Sequence, residues 1–264
     1  MRVAQVGRGV LAVVLSLVAV CASAQVAEPQ VKPFEPYSGQ PGKDVVWVPT
    51  PQATVDKMLE VARLTAADTL IDLGAGNGIT VITAARRGAT AIGVEFNPDM
   101  VALARTLAAE AGVSHKATFI EGDLFEADLS KATVITLFLL PDINQKLRPK
   151  LLELRPGTRI VSNSFDMGDW EPDVRTSAET CASWCTVLSW VIPAKVAGTW
   201  TMGKQTLTLT QQYQVVSGTL DGAAISDGKL DGATLTFTAG GRTYTGTVGG
   251  NRIAGAGWSA TRGS

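Results

Sequence analysis

A glycine-rich turn between an apolar strand and an apolar helix is the feature that most constrains this fold. Residues 70–81 read LIDLGAGNGITV: a β-favouring run, then Gly74, Gly76 and Gly78 at every second position, then a helical pattern. Because glycine has no Cβ, a ligand can approach the backbone of such a turn and reach the N-terminus of the helix. The segment therefore predicts a strand–turn–helix unit that binds a small molecule.

Strands and helices alternate along the chain from residue 44 to about residue 173. Five apolar, strand-like runs are separated by helical patterns, and the helix that begins at Pro98 ends at Gly112. Alternation of this kind predicts a parallel sheet covered by helices on both faces. The expected fold class is α/β, with a Rossmann-like sheet.

The pattern changes after about residue 196. Helical periodicity stops, and short alternating runs rich in threonine and glycine follow, separated by Asp-Gly, Gly-Gly and Gly-Asn turns. This predicts an antiparallel meander of six or seven strands that forms a small β-barrel or sandwich. We therefore expect an α/β domain over residues 44–193 and an antiparallel β domain over residues 194–264.

The N-terminal 24 residues have the pattern of an export signal. Arg2 and Arg8 precede an apolar run at residues 10–20, and small residues stand at the −3 and −1 positions before Gln25. This run is too short to span a bilayer comfortably, so we expect cleavage before Gln25. The alternative is an uncleaved N-terminal anchor.

A lipoprotein interpretation of Cys21 is disfavoured because Val20 stands where a small residue should precede a lipidated cysteine. After the signal, an extended leader rich in proline, glycine and glutamine is expected over residues 25–43. The expected localisation is periplasmic or secreted, with no transmembrane segment after cleavage.

Two further cysteines, Cys181 and Cys185, are candidates for a disulfide in an oxidising compartment. On a strand they would lie about 13 Å apart, beyond bridging range, so a disulfide requires the CASWC segment to be a loop or a helical turn. The alternative is a pair of buried thiols. Without histidine neighbours the cysteines make a poor zinc site, and no metal site is expected.

Acidic residues follow three successive strands and suggest what the turn binds. Asp72 precedes the glycines; it would repel a pyrophosphate but suits a ligand that carries an ammonium group. Glu95 ends the next strand, about twenty residues on, where an acid accepts hydrogen bonds from ribose hydroxyls. Asp123 can accept a hydrogen bond from an adenine amine, and Leu124 offers a backbone N–H to the ring. Together these groups fit S-adenosylmethionine.

The order of the motifs LIDLGAGNG, GVEFNP, EGDLFEADL and FLLP resembles the class I, seven-strand methyltransferases. The segments VVWVPTP, GVEFNPDMVALAR and SFDMGDWEPD are similar to those of the small mitochondrial protein-lysine methyltransferases. The resemblance covers residues 45–173, about half of the chain. The alternative is a nucleotide-binding fold with another ligand.

The resemblance implies a set of cofactor-binding residues but assigns no catalytic residue. Trp47 and Thr50 would close over the methionine end of the cofactor, unless Trp47 is a core aromatic. The residues expected to line the cofactor cleft are Asp72, Gly74, Ala75, Gly76, Glu95, Phe96, Asp123, Leu124 and Leu139.

The acceptor implied by the resemblance is a protein lysine amine. Nucleic-acid amino-methyltransferases carry an Asn/Asp-Pro-Pro-aromatic loop, whereas this chain has Leu139, Leu140, Pro141 and Asp142 there. With a formal net charge of −1, no nucleic-acid partner is expected. The expected rim of the cleft carries one carboxylate, Asp142. Such a rim suits the aliphatic stem of a lysine side chain. Transfer to a neutral amine needs mainly alignment, so the lack of an evident general base is no objection.

The expected localisation is the main objection to this function. S-adenosylmethionine is made in the cytoplasm, whereas the export signal directs the chain outside it. The second hypothesis is a non-catalytic envelope binding protein that retains the methyltransferase fold. The sequence does not separate the two hypotheses, and it fixes neither the methyl acceptor nor the oligomeric state.

Overall fold

The computed structural model of the protein describes residues 1–4, 7 and 34–263. The expected cleavage site and almost all of the export signal lie outside the described residues, as does the first part of the leader. Residues 1–33 and residues 34–264 form separate units, and the second unit contains every helix and strand below.

The first part of this unit contains four helices and seven strands among the described residues. In chain order these elements are α1 (Gln52–Val61), β1 (Thr69–Leu73), α2 (Ile79–Arg86), β2 (Thr90–Glu95), α3 (Pro98–Glu110), β3 (Ala117–Glu121), β4 (Val134–Leu137), α4 (Pro141–Leu151), β5 (Arg159–Asn163), β6 (Val174–Ser177) and β7 (Thr186–Val191). None of the helices in the described part is long and apolar enough to cross a membrane.

The seven strands form one sheet in the order β3-β2-β1-β4-β5-β7-β6. Strands β1 to β5 are parallel, as the alternating pattern predicts. Beyond the predicted run of parallel strands, β7 pairs antiparallel with β5, and β6 pairs antiparallel with β7. Sequence reasoning missed this hairpin because β6 is a short, mostly exposed edge strand without apolar alternation.

Helices cover the two faces of the sheet unequally. Helices α1, α2 and α3 pack on one face, where alternate strand residues such as Leu70 and Phe119 join their apolar sides. On the opposite face Ile71 and Leu137 pack against α4 and against two buried tryptophans, Trp170 and Trp190. This second face therefore has one helix and a tryptophan cluster where the first has three helices.

The second part is a closed antiparallel barrel. Its nine described strands are β8 (Gly198–Met202), β9 (Gln205–Gln212), β10 (Val215–Leu220), β11 (Ala223–Ala224), β12 (Ser226–Asp231), β13 (Thr234–Ala239), β14 (Arg242–Gly249), β15 (Arg252–Gly255) and β16 (Trp258–Arg262). Strand β16 pairs with β8 and β9 with β10, so eight strands close the ring, while the two-residue β11 extends β12 along β10.

The expected β domain is thus a barrel and not a sandwich, with more strands than the six or seven predicted. Its interior is filled by alternate residues that include Trp200 and Phe237, both fully buried. The sheet ends at Val191 and the barrel begins at Gly198. That the two parts fold as separate domains stays a prediction.

A hairpin of the barrel packs on the tryptophan cluster of the sheet. Tyr213 stacks on Trp170 with ring centroids 5.5 Å apart. The Trp170 indole N–H donates to Oε1 of buried Gln214 at 2.7 Å, and Trp190 donates to the Trp170 carbonyl at 2.8 Å. The barrel therefore covers apolar surface on this face of the sheet, as helices do on the opposite face.

Gln214→Ala should lower the free energy of unfolding by about 1–3 kcal/mol, because it leaves the buried Trp170 N–H without an acceptor. Chemical denaturation followed by tryptophan fluorescence measures the change. Gln212→Ala, an exposed position two residues away, is the matched control and should change stability by less than about 0.5 kcal/mol. Equal stability of the two variants would contradict this role for Gln214.

Candidate active site

A cleft opens at the carboxyl ends of β1 and β4. Strand β1 is the third of the seven strands, and the order of strands runs in opposite directions on its two sides. Ligands of open α/β sheets bind at such a reversal, because the two connections leave in opposite directions and leave a crevice between them. A cavity of about 230 Å³ lies there, covered by the segment from Gln40 to Thr50.

The glycine turn forms the floor of this cleft. Gly74, Gly76 and Gly78 have φ angles of 78°, 53° and 81°, in the left-handed region that glycine adopts without strain. The absence of a side chain at Gly76 also makes room for Trp47, because a Cβ on Gly76 would lie only 2.4 Å from Nε1 of Trp47. Trp47 therefore packs directly on the turn, at the lid of the cleft and not in the core of the sheet.

Glu95 fixes the turn to the end of β2. Its Oε2 accepts a hydrogen bond from the Gly76 N–H at 2.9 Å, and its Oε1 accepts one from the Asn97 N–H at 2.9 Å. A carboxylate has about four lone-pair sites, so both oxygens keep acceptor capacity toward the cavity. That capacity is what the expected ribose contact requires.

Asp72 is a buried acid at the end of β1. Its Oδ1 accepts a hydrogen bond from the Thr136 hydroxyl at 2.6 Å, across the β1–β4 pair. Burial raises the pKa of Asp72 to about 7, since loss of water disfavours the charged form more than the hydrogen bond favours it. The nearby Glu95 charge raises the pKa further. A cationic ligand group would relieve this penalty.

The leader reaches the adenine end of the expected site. Nζ of Lys43 lies 2.5 Å from Oδ2 of Asp123 and 4.9 Å from the centroid of the exposed Phe96 ring. The Lys43 ammonium holds the pKa of Asp123 below its usual value. The adenine amine expected to bind Asp123 must therefore share or replace this contact, which sequence reasoning did not foresee because the partners are 80 residues apart.

The other half of the cleft is apolar. From β4 onward the described residues that line the cavity are Phe138, Leu139, Leu140, Ile143, Phe165 and Trp184. Sequence reasoning singled out Leu139 alone as a site residue in this half and did not assign Trp184 to the site. The structure places Trp184 at the cavity, 42% exposed.

Trp184 belongs to the CASWC loop, where Cys181 and Cys185 form the expected disulfide with Cα atoms 5.6 Å apart. The segment is an irregular loop between β6 and β7, so the geometric condition stated for a disulfide is met. A tryptophan between closely spaced cysteines is the sequence signal that could have located this residue.

Eight of the nine predicted cofactor residues surround one cavity: Asp72, Gly74, Ala75, Glu95, Phe96, Asp123, Leu124 and Leu139. Gly76 lies beside the cavity under Trp47. Trp47 and Thr50 also line it. Their contacts with a cofactor stay a prediction.

The expectation for the rim is wrong in one respect, since Asp142 is exposed and does not line the cavity. It is the second residue of α4, where an acid favours the helix N-terminus and the side chain is free to point into solvent. A carboxylate that does line the cavity is that of Asp44, the residue after the leader.

The residues present fit S-adenosylmethionine. Asp72 offers a desolvated carboxylate to an ammonium group, Glu95 offers acceptors to ribose hydroxyls, and the glycine turn leaves room for close approach. Phe96 offers an exposed ring face beside Asp123 for a flat heterocycle. Along the strand ends, Asp72 comes first and would meet the amino-acid portion of the ligand. Glu95 and Asp123 follow and would meet its adenosine portion.

The affinity for S-adenosylmethionine should depend on pH through Asp72. Below about pH 7 the acid is protonated, so binding an ammonium requires loss of a proton and the Kd should rise about tenfold per pH unit. The ligand amine loses its charge near pH ~8, so tight binding is expected between the two values. Isothermal titration from about pH 5.5 to about pH 9 measures this profile, and Asp72→Asn should abolish its acidic limb.

Asp72→Asn should also stabilise the unliganded protein by about 2–4 kcal/mol at pH 8. The folded pKa of Asp72 lies above its unfolded value, so ionisation costs stability at high pH and costs none below about pH 4. Thermal unfolding at pH 8 and pH 4.5 tests this, since the gain should shrink with acidity. Asp142→Asn, an exposed acid outside the cavity, is the control, and equal stability of Asp72→Asn and wild type at pH 8 would contradict the burial penalty.

Glu95→Ala should weaken cofactor binding by about 1–3 kcal/mol, because it removes a charged acceptor from both the ligand and the Gly76 N–H. Glu95→Gln keeps one carbonyl acceptor and should lose less. Titration at pH 7.5 compares the two variants. Wild-type affinity in Glu95→Ala would remove Glu95 from the site.

Sequence and structure comparisons identify relatives of this chain. Residues 72–174 match the ANTKMT methyltransferase domain family. A protein-lysine N-methyltransferase of Saccharolobus islandicus is 44% identical over 131 residues, which are 48% of this chain and 81% of that protein. The mouse adenine nucleotide translocase lysine N-methyltransferase is 38% identical over 105 residues, 39% of this chain, and the match spans only 46% of that protein.

Among solved structures, an RNA methyltransferase from Salinibacter ruber in complex with S-adenosyl-L-homocysteine is 53% identical. The match has a TM-score of 0.54 and covers 56% of this chain and 96% of that one. The matched relatives and the glycine turn with its acidic strand ends agree on one cofactor. The chain belongs to the family of S-adenosylmethionine-dependent methyltransferases that includes these protein-lysine N-methyltransferases.

Proposed function

We propose that this protein transfers a methyl group from S-adenosylmethionine to the side-chain amine of a lysine in a protein. The observation that carries the proposal is the division of the cleft. Carboxylates line the half at β1 to β3, and the cavity residues from β4 onward are all aliphatic or aromatic. Such a half accepts an aliphatic stem, and its low polarity lowers the pKa of an entering amine toward the neutral, nucleophilic form.

RNA is the competing acceptor, because the relative from Salinibacter ruber is called an RNA methyltransferase. Nucleic-acid sites need lysine and arginine side chains for the phosphates. Among the described residues that line this cavity, Lys43 is the one cation, and Asp123 pairs with it, whereas four lining residues are acidic. This charge pattern favours a cationic acceptor over a polyanion.

The chain contributes to the reaction mainly by holding the partners in line. When bound, S-adenosylmethionine supplies an electrophilic methyl on a sulfonium sulfur. Asp72 and Glu95 bind and orient the cofactor, and the glycine turn lets it lie close to the backbone. Trp47 and the apolar half exclude water, so the amine stays unprotonated while it attacks.

We also propose that the protein works outside the cytoplasm. The Cys181–Cys185 disulfide supports this, because disulfides persist in oxidising compartments. The acceptor would then be a protein of the same compartment.

The purified protein, incubated with S-[methyl-³H]adenosylmethionine and separate pools of envelope protein and total RNA, should label protein. Amino-acid analysis after acid hydrolysis should place the label on lysine. Glu95→Ala, assayed at cofactor concentrations below its Kd, should lose most of the label, and Asp142→Asn should keep it. Label in the RNA pool alone would contradict the lysine acceptor.

A binding measurement on the same purified protein distinguishes an enzyme from a non-catalytic binding protein. Isothermal titration with S-adenosylmethionine should give a micromolar Kd, about −8 kcal/mol. No binding at millimolar ligand would favour the binding-protein hypothesis.

A further inference from the structure

Three aromatic rings form one cluster at the apolar end of the cleft. Phe138 follows β4, Phe165 follows β5, and Trp184 precedes β7, so three neighbouring strands contribute one ring each. The ring centroids are 6.1 Å apart for Phe138 and Phe165, and 5.6 and 5.8 Å from Trp184 to these two rings. All three line the same cavity as the cofactor residues.

The backbone at Phe165 is held by two hydrogen bonds. The Phe165 carbonyl accepts hydrogen bonds from the hydroxyl of buried Ser162 at 2.6 Å and from Nδ2 of buried Asn144 at 3.3 Å. Both phenylalanine rings are partly buried, whereas Trp184 is 42% exposed. Trp184 is therefore the ring of the cluster that an entering side chain meets first.

Trp184 keeps its position only because its surroundings hold it. Its φ is +57°, in the left-handed region that a bulky side chain rarely adopts. The disulfide from Cys181 to Cys185 closes the loop around it, and the hydroxyl of fully buried Thr54 donates to the Trp184 carbonyl at 3.0 Å. A backbone outlier of this kind, inside a disulfide-closed loop at a cleft, points to a functional constraint.

We propose that Phe138, Phe165 and Trp184 form the acceptor entrance, and that Trp184, positioned by the Cys181–Cys185 disulfide, selects a cationic aliphatic side chain. The proposal rests on the lysine acceptor proposed above and names the residues that recognise it. A lysine ammonium arriving from water is attracted to the exposed indole face, and its methylene stem then packs on the two phenylalanine rings. Acceptor affinity therefore depends on the oxidation state of the loop.

Steady-state kinetics with a lysine peptide from the labelled substrate test this proposal. Trp184→Ala should raise the KM for the peptide about five- to thirtyfold, with little change in kcat and none in the Kd for S-adenosylmethionine. Trp184→Phe should recover most of the loss. Ser183→Ala, an exposed neighbour in the same loop, is the matched control and should behave as wild type.

Competition experiments separate recognition of the cation from loop structure. Against wild type, a peptide with trimethyl-lysine should inhibit better than one with norleucine, and Trp184→Ala should remove this difference. Reduction of wild type with a phosphine should raise the peptide KM in the same direction. The Cys181→Ser/Cys185→Ser double variant should start with the raised KM and not respond to the reductant.

The possible failures can be told apart. Lysine methylation with an unchanged peptide KM in Trp184→Ala would overturn this inference and leave the proposed function standing. Equal inhibition of wild type by the trimethyl-lysine and norleucine peptides would overturn it too. A wild type that methylates RNA and no protein would overturn the proposed function and this inference together.

Discussion

The reversal of strand order at β1 is the constraint on which the site depends. Crossovers between parallel strands are right-handed, so the helices that follow β1 and β4 pack on opposite faces of the sheet. No helix in the described part of the chain covers the carboxyl ends of these two strands, and the cleft that opens there is lined by Asp72 of β1, by Glu95 at the end of β2 and by Asp123 after β3. The Thr136–Asp72 hydrogen bond joins the two strands at this point.

Burial divides the cleft into two chemical environments with opposite effects on charge. At β1 and β2, the Glu95 charge adds to burial in raising the pKa of Asp72, so this half gains from a bound cation. At β4 and β5 the lining side chains cannot stabilise a charge except through their ring faces. The sulfonium cofactor and the proposed amine acceptor, which must become neutral, differ in the same way, so one cleft suits both partners.

Local patterns were enough to predict the glycine turn, the five parallel strands and the acids Asp72 and Glu95, because each depends on neighbours within a few residues. The antiparallel β domain was predicted from its turns as a barrel or a sandwich, but the closure that makes it a barrel was not, since the β16–β8 pairing joins distant residues. The aromatic cluster was missed for the same reason: Phe138 and Trp184 meet only through the order of β4, β5 and β7.

The leader shows a second limit of sequence reasoning. Its composition indicated an extended segment, and its last part does lie over the cavity without helix or long strand. What could not be predicted is that Lys43 would pair with Asp123, because surface ion pairs depend on side-chain geometry and leave no pattern in sequence.

The closed barrel has a consequence for the sheet edges at which another chain could pair. Sixteen strands are described, yet the ring of eight leaves none of its own members as a full-length open edge. The free edges of the described sheets are β3, β6 and the two-residue β11, and β6 is only four residues long and carries Arg175. Short and charged edges are poor templates for pairing with another chain. Closure of the barrel therefore removes eight strands from the edges at which a neighbouring copy could add a strand.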